Sequence, residues 1–423
     1  MIIKATKKKN MKNYKGWKFK GNELKYIKKT LSSDFRADSS GTMNEKLEIK
    51  FAKIHNQRYA VTANSGTSTL HMALNAFGVG HGDEVIIPAL TVAMCGYAVW
   101  QCGATPVYAD IDKDTLLIDT KDVERKITKK TKAIMVVHLY GLMCNMEEIM
   151  KIAKKNSLFV LEDCAQCFFA KDNRGKVAGT IGDVGSWSFE NSKHITTGDG
   201  GIVSTNNAIL AKKMREFSCA GFRNVTASSG KVRIDRNKFQ DPNWKRHNIL
   251  AYNYRLPEVA AAVGLAQLER LNFFLKKRIV MGEKFRKIIS QNKTGILINQ
   301  LIPRNFIHSY YTFPCKFNGK KYGISWQEFR KKFIFFGGDG IYAAWQTVNN
   351  EPAFQNAQKK GLYSGSMKIS NSYGWGDVKN AESVQKIIMQ FTTNQKNLKE
   401  IKRQEKALKN VLNYYQKKLN LKN

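Results

Sequence analysis

The chain has 423 residues, of which 43% are apolar and 25% are charged, a balance typical of a folded globular protein with two or three domains. This composition excludes a disordered polymer, and no segment approaches the roughly 20 consecutive apolar residues that span a bilayer. The first 20 residues are basic and lack the apolar region of a secretory signal, and the seven cysteines are scattered. We therefore expect a cytoplasmic protein with neither a disulfide framework nor a metal site.

The net charge of +36, from 70 Lys and Arg against 34 Asp and Glu, raises the question of a polyanionic partner. The basic residues are spread along the whole chain, with the densest runs at Lys7–Lys9 and within 396–422, and no helix-turn-helix, zinc-finger or RNA-recognition pattern accompanies them. We expect a solvated basic surface that helps to attract an anionic substrate, with no nucleic-acid or membrane partner. A nucleic-acid or membrane-surface binder is the alternative of another class, and salt-sensitive polyanion binding by protein without a chromophore would favour it.

The first half of the chain alternates predicted helices and strands. After a basic arm to residue 21, helical patterns cover 22–31 and 44–55, and a strand covers 59–64. Apolar residues then recur at helical spacing until Gly78. Short apolar runs between further helical patterns predict buried strands at Glu84–Pro88, Pro106–Asp110, Ala133–Val137, Leu158–Leu161 and Gly201–Ser204. Such alternation is typical of an α/β fold with a mostly parallel sheet that helices cover on both faces.

The alternation loosens from about residue 256. A long helix carrying Val259, Val263 and Leu271 predicts the start of a second, smaller domain, and the run 310–317 predicts a strand of its sheet. The last stretch is helical, with an apolar stripe formed by Ile401, Leu408, Leu412, Tyr415 and Leu419. The predicted divisions are a basic arm at 1–21, a large domain at 22–255, a smaller α+β domain at 256–395 and a basic helix at 396–423.

The segment Ser65–Ser68 opens a helix directly after a predicted strand. Backbone N–H groups and hydroxyls converge there, and the helix dipole favours an anion, so this turn is a candidate phosphate site. For the segment taken alone, an ordinary helix N-cap is the simpler interpretation.

Two further residues have the chemistry of a pyridoxal-phosphate (PLP) site. Asp163 ends an apolar run that predicts a buried strand, where a carboxylate can keep a pyridine nitrogen protonated. Lys193 lies 30 positions later, in a polar turn between Ser188 and Gly198–Gly201, and an amine there can hold the aldehyde of the cofactor as a Schiff base. Taken singly, Asp163 could cap a helix and Lys193 could be a solvated side chain.

These residues belong to a longer series of motifs, namely Ser65–Thr67, Gly82–Pro88, Asp110–Asp112, His138–Gly141, Glu162-Asp163, Ser188-Phe189 with Lys193, Gly198–Gly201 and Tyr252–Arg255. In this order they closely resemble the DegT/StrS-type sugar-nucleotide aminotransferases, over roughly residues 21–317. Any one motif is weakly specific, whereas the whole series in order is specific.

The resemblance implies a role for each matching residue. Lys193 matches the Schiff-base lysine, which also moves the proton between the substrate and cofactor carbons, and Asp163 matches the partner of the pyridine nitrogen. Gln166 matches the residue near the ring hydroxyl. Residues that match ligands of the cofactor phosphate are Gly66, Thr67 and Ser188 of the same chain and Asn253 of the other subunit. A homodimer with shared active sites is therefore also implied.

The resemblance further implies the α/β fold of the PLP-dependent transferases of the aspartate-aminotransferase type (fold type I). The implied reaction converts a keto-sugar nucleotide to an amino-sugar nucleotide, with PLP as cofactor and an amino acid, expected to be glutamate, as donor. Surface-glycan or other amino-sugar biosynthesis would use such a product. The alternative within the family is a PLP-dependent deoxysugar dehydratase, which carries histidine in place of the lysine. Lysine stands at 193 and histidine at 194, which favours the aminotransferase.

Two segments depart from the pattern of the family. The aromatic residue that stacks on the cofactor ring usually follows a Pro-x-x-Thr element, but Val92 follows Pro88–Thr91 here, so we expect an aliphatic contact. The segment Gly337–Trp345 also differs from the commonest members, which suggests a less typical branch with an altered acceptor.

Overall fold

The computed structural model describes residues 16–33, 35, 41–229, 236–360 and 377–419. The predicted basic arm therefore lies mostly outside the described residues. Within them the α-helices are α1 (Glu23–Ser32), α2 (Met43–Ile54), α3 (Gly66–Ala76), α4 (Ala93–Gln101), α5 (Thr120–Arg125), α6 (Met146–Lys155), α7 (Ala208–Ser218), α8 (Arg236–Gln240), α9 (Glu258–Glu269), α10 (Leu271–Gln291), α11 (Trp326–Phe335), α12 (Pro352–Lys360), α13 (Lys379–Gln385) and α14 (Leu398–Lys418).

The larger sheet has seven strands in the order β1-β7-β6-β5-β4-β2-β3. Its strands are β1 (Tyr59–Ala63), β2 (Glu84–Pro88), β3 (Thr105–Ala109), β4 (Thr131–Val137), β5 (Phe159–Asp163), β6 (Val184–Ser188) and β7 (Gly201–Thr205). Neighbouring strands pair in parallel except at β7, which is antiparallel to both β1 and β6. The predicted mostly parallel sheet is thus confirmed.

Burial on both faces explains the apolar runs of this sheet. Every residue of β2 and β6 is buried, and helices α3, α4, α6 and α7 pack against the strands. Parallel strands that are covered on both faces have no solvent-facing positions, so their sequences are continuous apolar stretches. The predicted α/β fold class is confirmed.

A smaller antiparallel sheet has the strand order β10-β11-β9-β8. Its strands are β8 (Leu297–Asn299), β9 (Thr312–Phe317), β10 (Ile341–Ala343) and β11 (Ile388–Thr392). Helix α14 packs beside it against α10 and α11. The predicted stripe of α14 is buried in the core of this part at Ile401, Leu408, Leu412 and Tyr415, with Leu419 packed at its margin.

The predicted long helix after residue 256 is wrong in one respect, because two helices occupy this stretch. α9 ends at Glu269 and α10 begins at Leu271, with Arg270 between them. Val259 and Val263 are only partly buried, whereas Ala261, Ala262 and Leu265 are buried. Small residues on α9 allow close packing with α1 and α2. The positions of the two valines do not predict this contact.

Two strands differ from their predictions. The pattern does not predict β6, since Val184-Gly-Ser-Trp-Ser188 lacks a run of branched apolar residues. The strand predicted at 310–317 begins at Thr312 because Tyr310 has a left-handed φ of 48°.

The four-part division of the chain stays a prediction. No helix among the described residues has the length and apolar character needed to cross a membrane.

A turn at the end of β4 requires glycine. Gly141 has φ +103°, and a Cβ on it would lie 2.6 Å from the Ser309 Oγ and 2.8 Å from the Tyr310 nitrogen. The N–H of Ser309 donates to the Gly141 carbonyl at 2.8 Å, so the two segments are joined at this point. Glycine thus lets the loop after β4 approach the chain that leads into β9.

We predict that Gly141→Ala destabilises the protein much more than Gly175→Ala. Gly175 also has a positive φ, of +76°, but a Cβ there would meet nothing within 4 Å. The control should lose about 1–2 kcal/mol from backbone strain alone. Gly141→Ala should lose about 1–3 kcal/mol more from steric overlap, as measured by urea unfolding. Equal losses would show that the approach of Ser309 and Tyr310 does not matter.

Candidate active site

Three strand ends meet at one edge of the larger sheet. Asp163 is the last residue of β5, Lys193 follows the end of β6 by five positions, and Gly66 begins α3 shortly after β1. β1 runs in the same direction as β6, because both are antiparallel to β7. The carboxyl ends of all three strands therefore lie at the same edge, where open α/β sheets bind their ligands.

Asp163 is a buried carboxylate with few hydrogen-bond donors. It is 2% exposed, and it accepts hydrogen bonds from the Ala165 N–H at 2.8 Å and from the Cys95 thiol at 3.3 Å. Burial raises the pKa of Asp163, while these two donors and the charge of Lys193 act in the opposite direction. A thiol is a weak donor. The carboxylate can therefore accept a further hydrogen bond from a cationic donor.

Lys193 lies close to Asp163, whose pKa it affects, and its amine is 4.7 Å from the ring centre of Tyr311. The neighbouring His194 is engaged elsewhere, since its Nε2 donates to the Ser309 carbonyl at 3.1 Å. Burial and the nearby Arg278 lower the pKa of His194 well below its usual value, so its ring is neutral. Of these two side chains, His194 is held by Ser309, whereas the charge of Lys193 acts to lower the pKa of Asp163.

The start of α3 and the end of β6 are in close contact. A Cβ on Gly66 would lie 2.7 Å from the Cβ of Ser188, so only glycine fits between them. Ser65 caps α3 by accepting from the Ser68 N–H at 3.0 Å, as the simpler interpretation of this segment expected. The N–H groups of Gly66 and Thr67 lie in the first turn, where they have no partner within the helix. Together with the Ser188 hydroxyl they form an arrangement that suits an anion.

Gln166 is hydrogen-bonded to the loop after β4. Its Oε1 accepts a hydrogen bond from the Tyr140 N–H at 2.8 Å. Tyr140 has a left-handed φ of 61°, and its carbonyl accepts from the Tyr311 N–H at 2.9 Å. The loop after β4 therefore holds both Gln166 and the aromatic residue beside Lys193.

A cavity of about 350 Å³, the site cavity, adjoins these residues, and both Gln166 and Tyr311 line it. Its wall combines apolar and aromatic side chains with amides and hydroxyls, among them Leu90, Tyr342, Trp345, Gln390, Thr392 and Asn394. Tyr342 and Trp345 are 60% and 53% exposed, so their rings are open to a ligand. Both belong to the segment Gly337–Trp345, which the sequence marks as unusual.

Asn253 does not line the site cavity. It is exposed and lines a different cavity, of about 670 Å³, together with Arg255 and Glu258. Lys193, Asp163, Gly66 and Ser188 thus lie at one edge of the larger sheet, whereas Asn253 lines a different cavity.

Sequence reasoning missed Cys95, the thiol that donates to Asp163. Cys95 lies on α4, one helical turn after Thr91, so helical spacing from the Pro88–Thr91 element could have found it. Val92 precedes α4 as its half-buried N-cap residue, on the same turn as Cys95. Its contact with a cofactor ring stays a prediction.

Comparison with known proteins places this geometry in a family. Residues 18–373 match the model of the DegT/DnrJ/EryC1/StrS aminotransferase family. The chain is 40% identical over 270 residues to GDP-perosamine synthase of Escherichia coli O157:H7, which covers 64% of this chain and 69% of that protein.

Two solved structures have the same fold. The aminotransferase from Psychrobacter cryohalolentis has a TM-score of 0.79 at 27% identity, covering 93% of this chain and 97% of that one. NtdA from Bacillus subtilis, with bound pyridoxamine phosphate (PMP), has a TM-score of 0.73 at 25% identity, covering 94% of this chain and 83% of that one. The chain therefore belongs to the DegT/DnrJ/EryC1/StrS aminotransferase family, and it is an aminotransferase.

Proposed function

We propose that this aminotransferase uses PLP to convert a keto-sugar nucleotide to an amino-sugar nucleotide, with glutamate as donor. The observation that carries the proposal is that Lys193, the under-satisfied Asp163 and the start of α3 lie at one edge of the sheet. An amine, a buried acid and a phosphate pocket are the three groups that PLP needs from a protein.

The described residues fit the cofactor. Asp163 would hold the pyridine nitrogen, which supplies the cationic donor that the buried carboxylate lacks among the described residues. Gly66, Thr67 and Ser188 would hold the phosphate, and Gln166 would lie near the ring hydroxyl. When bound, PLP accepts the amino group of the donor and withdraws electrons from the bond that loses a proton.

Lys193 is the group that moves this proton. Its amine lies over the Tyr311 ring, in a buried position that excludes bulk water. Asp163 contributes by remaining ionised opposite the ring nitrogen once that cation is present, because an opposite charge at hydrogen-bond distance favours the carboxylate. Since Lys193 occupies the position where the dehydratases carry histidine, and His194 is bonded to Ser309, the geometry supports aminotransfer over dehydration.

The size and lining of the site cavity support a sugar substrate. Sugars present both hydroxyls and an apolar C–H face, and the wall offers amide and hydroxyl groups beside Tyr342 and Trp345. The name GDP-perosamine synthase of the E. coli relative makes a GDP-linked keto sugar the first candidate. The net charge of +36 would help to attract the diphosphate.

A homodimer with shared sites is part of the proposal. Asn253 is exposed and does not line the site cavity of its own chain, which suits a residue that reaches the cofactor phosphate of a partner. The exposed Ile249 and Leu250 precede it, and contact with a second subunit would cover them.

We predict that Asp163→Asn makes the cofactor-free protein more stable at neutral pH while it impairs activity. Burial raises the pKa of Asp163, so ionisation in the folded state costs stability above the usual pKa of an aspartate, about 4. The gain, followed by thermal unfolding, should shrink as the pH falls toward that value, where the carboxyl is protonated in both states.

Asp172→Asn is the control for this experiment. Hydrogen bonds from Arg174 and Lys176 outweigh burial and lower the pKa of Asp172, so its ionisation stabilises the fold above the usual aspartate pKa. Its removal should therefore destabilise the protein at neutral pH, and the loss should vanish in acid. If both variants shift stability in the same direction, the assignment of Asp163 as an under-satisfied buried acid is wrong.

The reaction itself can be tested on purified protein. We expect a visible cofactor absorbance, loss of this absorbance on borohydride reduction, and a pyridoxyl group on the peptide that contains Lys193. A GDP-linked keto sugar should be aminated with glutamate, with glutamine and other keto-sugar nucleotides as further arms of the screen. Lys193→Ala should abolish turnover, whereas Lys126→Ala, whose amine donates to the Tyr108 carbonyl outside the site, should not. Labelling of another lysine would refute the assignment.

Mixed dimers test the shared site. A dimer of one Lys193→Ala chain and one Asn253→Ala chain should hold one site with both lesions and one with neither. Joint refolding of the two inactive or weakly active variants should restore about a quarter of the wild-type activity, because half of the dimers are mixed and each has one intact site. Asn253→Ala alone should bind PLP roughly tenfold or more weakly, since it loses a charge-assisted hydrogen bond. No recovery despite proven mixed dimers would exclude a shared site.

A further inference from the structure

The lysine turn, Glu190–Lys193, has an unusual set of hydrogen-bond partners. Within the turn, the Lys193 N–H donates to the Glu190 carbonyl at 3.0 Å and the Ser192 N–H to the Glu190 carboxylate at 3.0 Å. The carbonyls of Asn191, Ser192 and Lys193 each accept a hydrogen bond from a cationic side chain.

Arg278 supplies two of these bonds. It is 4% exposed, and its Nη2 donates to the carbonyls of Ser192 at 3.0 Å and Lys193 at 3.3 Å. Its Nη1 donates to the Tyr311 carbonyl at 2.5 Å and to the Thr393 hydroxyl at 3.2 Å. The same guanidinium thus joins the lysine turn to the residue whose ring lies under the Lys193 amine.

Arg278 is a buried cation with no carboxylate within ion-pair distance among the described residues. Its four hydrogen-bond acceptors are three carbonyls and a hydroxyl. Burial lowers its pKa only to about 10, so it is charged at neutral pH. A buried charge that lacks an opposite charge is costly, and it persists here because backbone oxygens replace its water.

Lys18 supplies the third bond from a distant part of the sequence. Its amine donates to the Asn191 carbonyl at 2.7 Å. The backbone around it is anchored on α9 and the α9–α10 junction, since the Lys18 carbonyl accepts from Gln267 at 2.8 Å and from Arg270 at 2.5 Å. Trp17 packs on Phe274 of α10, with ring centres 5.8 Å apart. The segment is therefore fixed where its lysine meets the turn.

We propose that Arg278, assisted by Lys18, is a positioning residue that holds the lysine turn so that the Lys193 amine stays over Tyr311 and beside Asp163. Neither residue touches the reacting atoms. Both act on the backbone, by binding three successive carbonyls of the turn. The inference rests on the proposed function only in taking Lys193 as the amine that reacts with the cofactor.

The test compares Arg278→Met, Arg278→Lys and Lys18→Met with Arg286→Met as matched control. Arg286 lies two turns further along α10 and also donates to a backbone carbonyl, that of Gln300 at 2.9 Å, away from the lysine turn. Three quantities are measured on the holoenzyme: hydrogen exchange of the Ser192 and Lys193 amides, the fraction of bound cofactor that borohydride fixes to Lys193, and kcat and KM separately.

For Arg278→Met we expect exchange of the two amides to rise about tenfold or more, the fold-change that corresponds to the loss of one charge-assisted hydrogen bond. The trapped fraction should fall and kcat should drop about tenfold, with KM for the sugar nucleotide changed by less than about twofold. Arg278→Lys should recover part of each loss, because it keeps the charge but not the fork of donors. Lys18→Met should show smaller changes of the same kind, and Arg286→Met none.

Wild-type exchange of the turn in both Arg278→Met and Lys18→Met would overturn the proposal. So would faster exchange with an unchanged trapped fraction and kcat, since the contacts would then only stabilise the fold. If Arg278→Met does not fold, the result for Lys18→Met decides. A wild-type protein with no cofactor on Lys193 would refute the proposed function instead, and the exchange rates of the turn would still test whether the two cations hold it.

Discussion

The candidate site depends on a difference between two adjacent carboxylates at the end of β5, Glu162 and Asp163. Glu162 accepts several hydrogen bonds from the fold, whereas Asp163 accepts few. Successive residues of a strand point to opposite faces of the sheet. Glu162 is fully buried and accepts from the N–H groups of Gly179, Ile181 and Gly182 and from His138, so its charge is matched within the fold. The Asp163 side chain accepts only two hydrogen bonds among the described residues, one from a backbone amide and one from a thiol. The first carboxylate organises the loop between β5 and β6, and the second keeps capacity for a further hydrogen bond.

Helix α10 connects the two parts of the molecule, because it contributes side chains to both hydrophobic cores. The N-terminal part of this helix contributes Leu271 and Phe274 to the core of the large sheet, and its later turns contribute Met281 and Phe285 to the core of the small sheet. Arg278 lies between these two sets, and its guanidinium carbon is 5.7 Å from the ring centre of Tyr311. Its hydrogen bonds join the lysine turn, which follows β6 of the large sheet, to Tyr311 and Thr393, which flank β9 and β11 of the small sheet.

The sequence predicts most of the larger sheet because its strands are apolar runs with polar residues at their ends, as at β2 and β5. It fails at β6, where glycine, serine and tryptophan form a buried strand through tertiary packing. The sequence could name Lys193, Asp163 and Gly66 as candidates because their chemistry sits in short motifs. Helical spacing from Thr91 could also have pointed to Cys95. The role of Arg278 could not be predicted, since it arises from a contact 85 positions away along the chain, about which local sequence pattern carries no information.

Buried charges near the site are screened less by solvent and salt than the exposed charges along the chain. Exposed charges separated by more than about 8 Å are largely screened at physiological salt, so most of the net charge of +36 acts on the encounter with a substrate and little on the chemistry. Arg278 is buried, and burial lowers the pKa of Lys18 to about 8, so their fields are screened much less. Both cations donate to backbone carbonyls of the lysine turn. A cofactor phosphate, a nucleotide diphosphate and a donor carboxylate are all anions, and together they would offset the positive charge that the fold concentrates there.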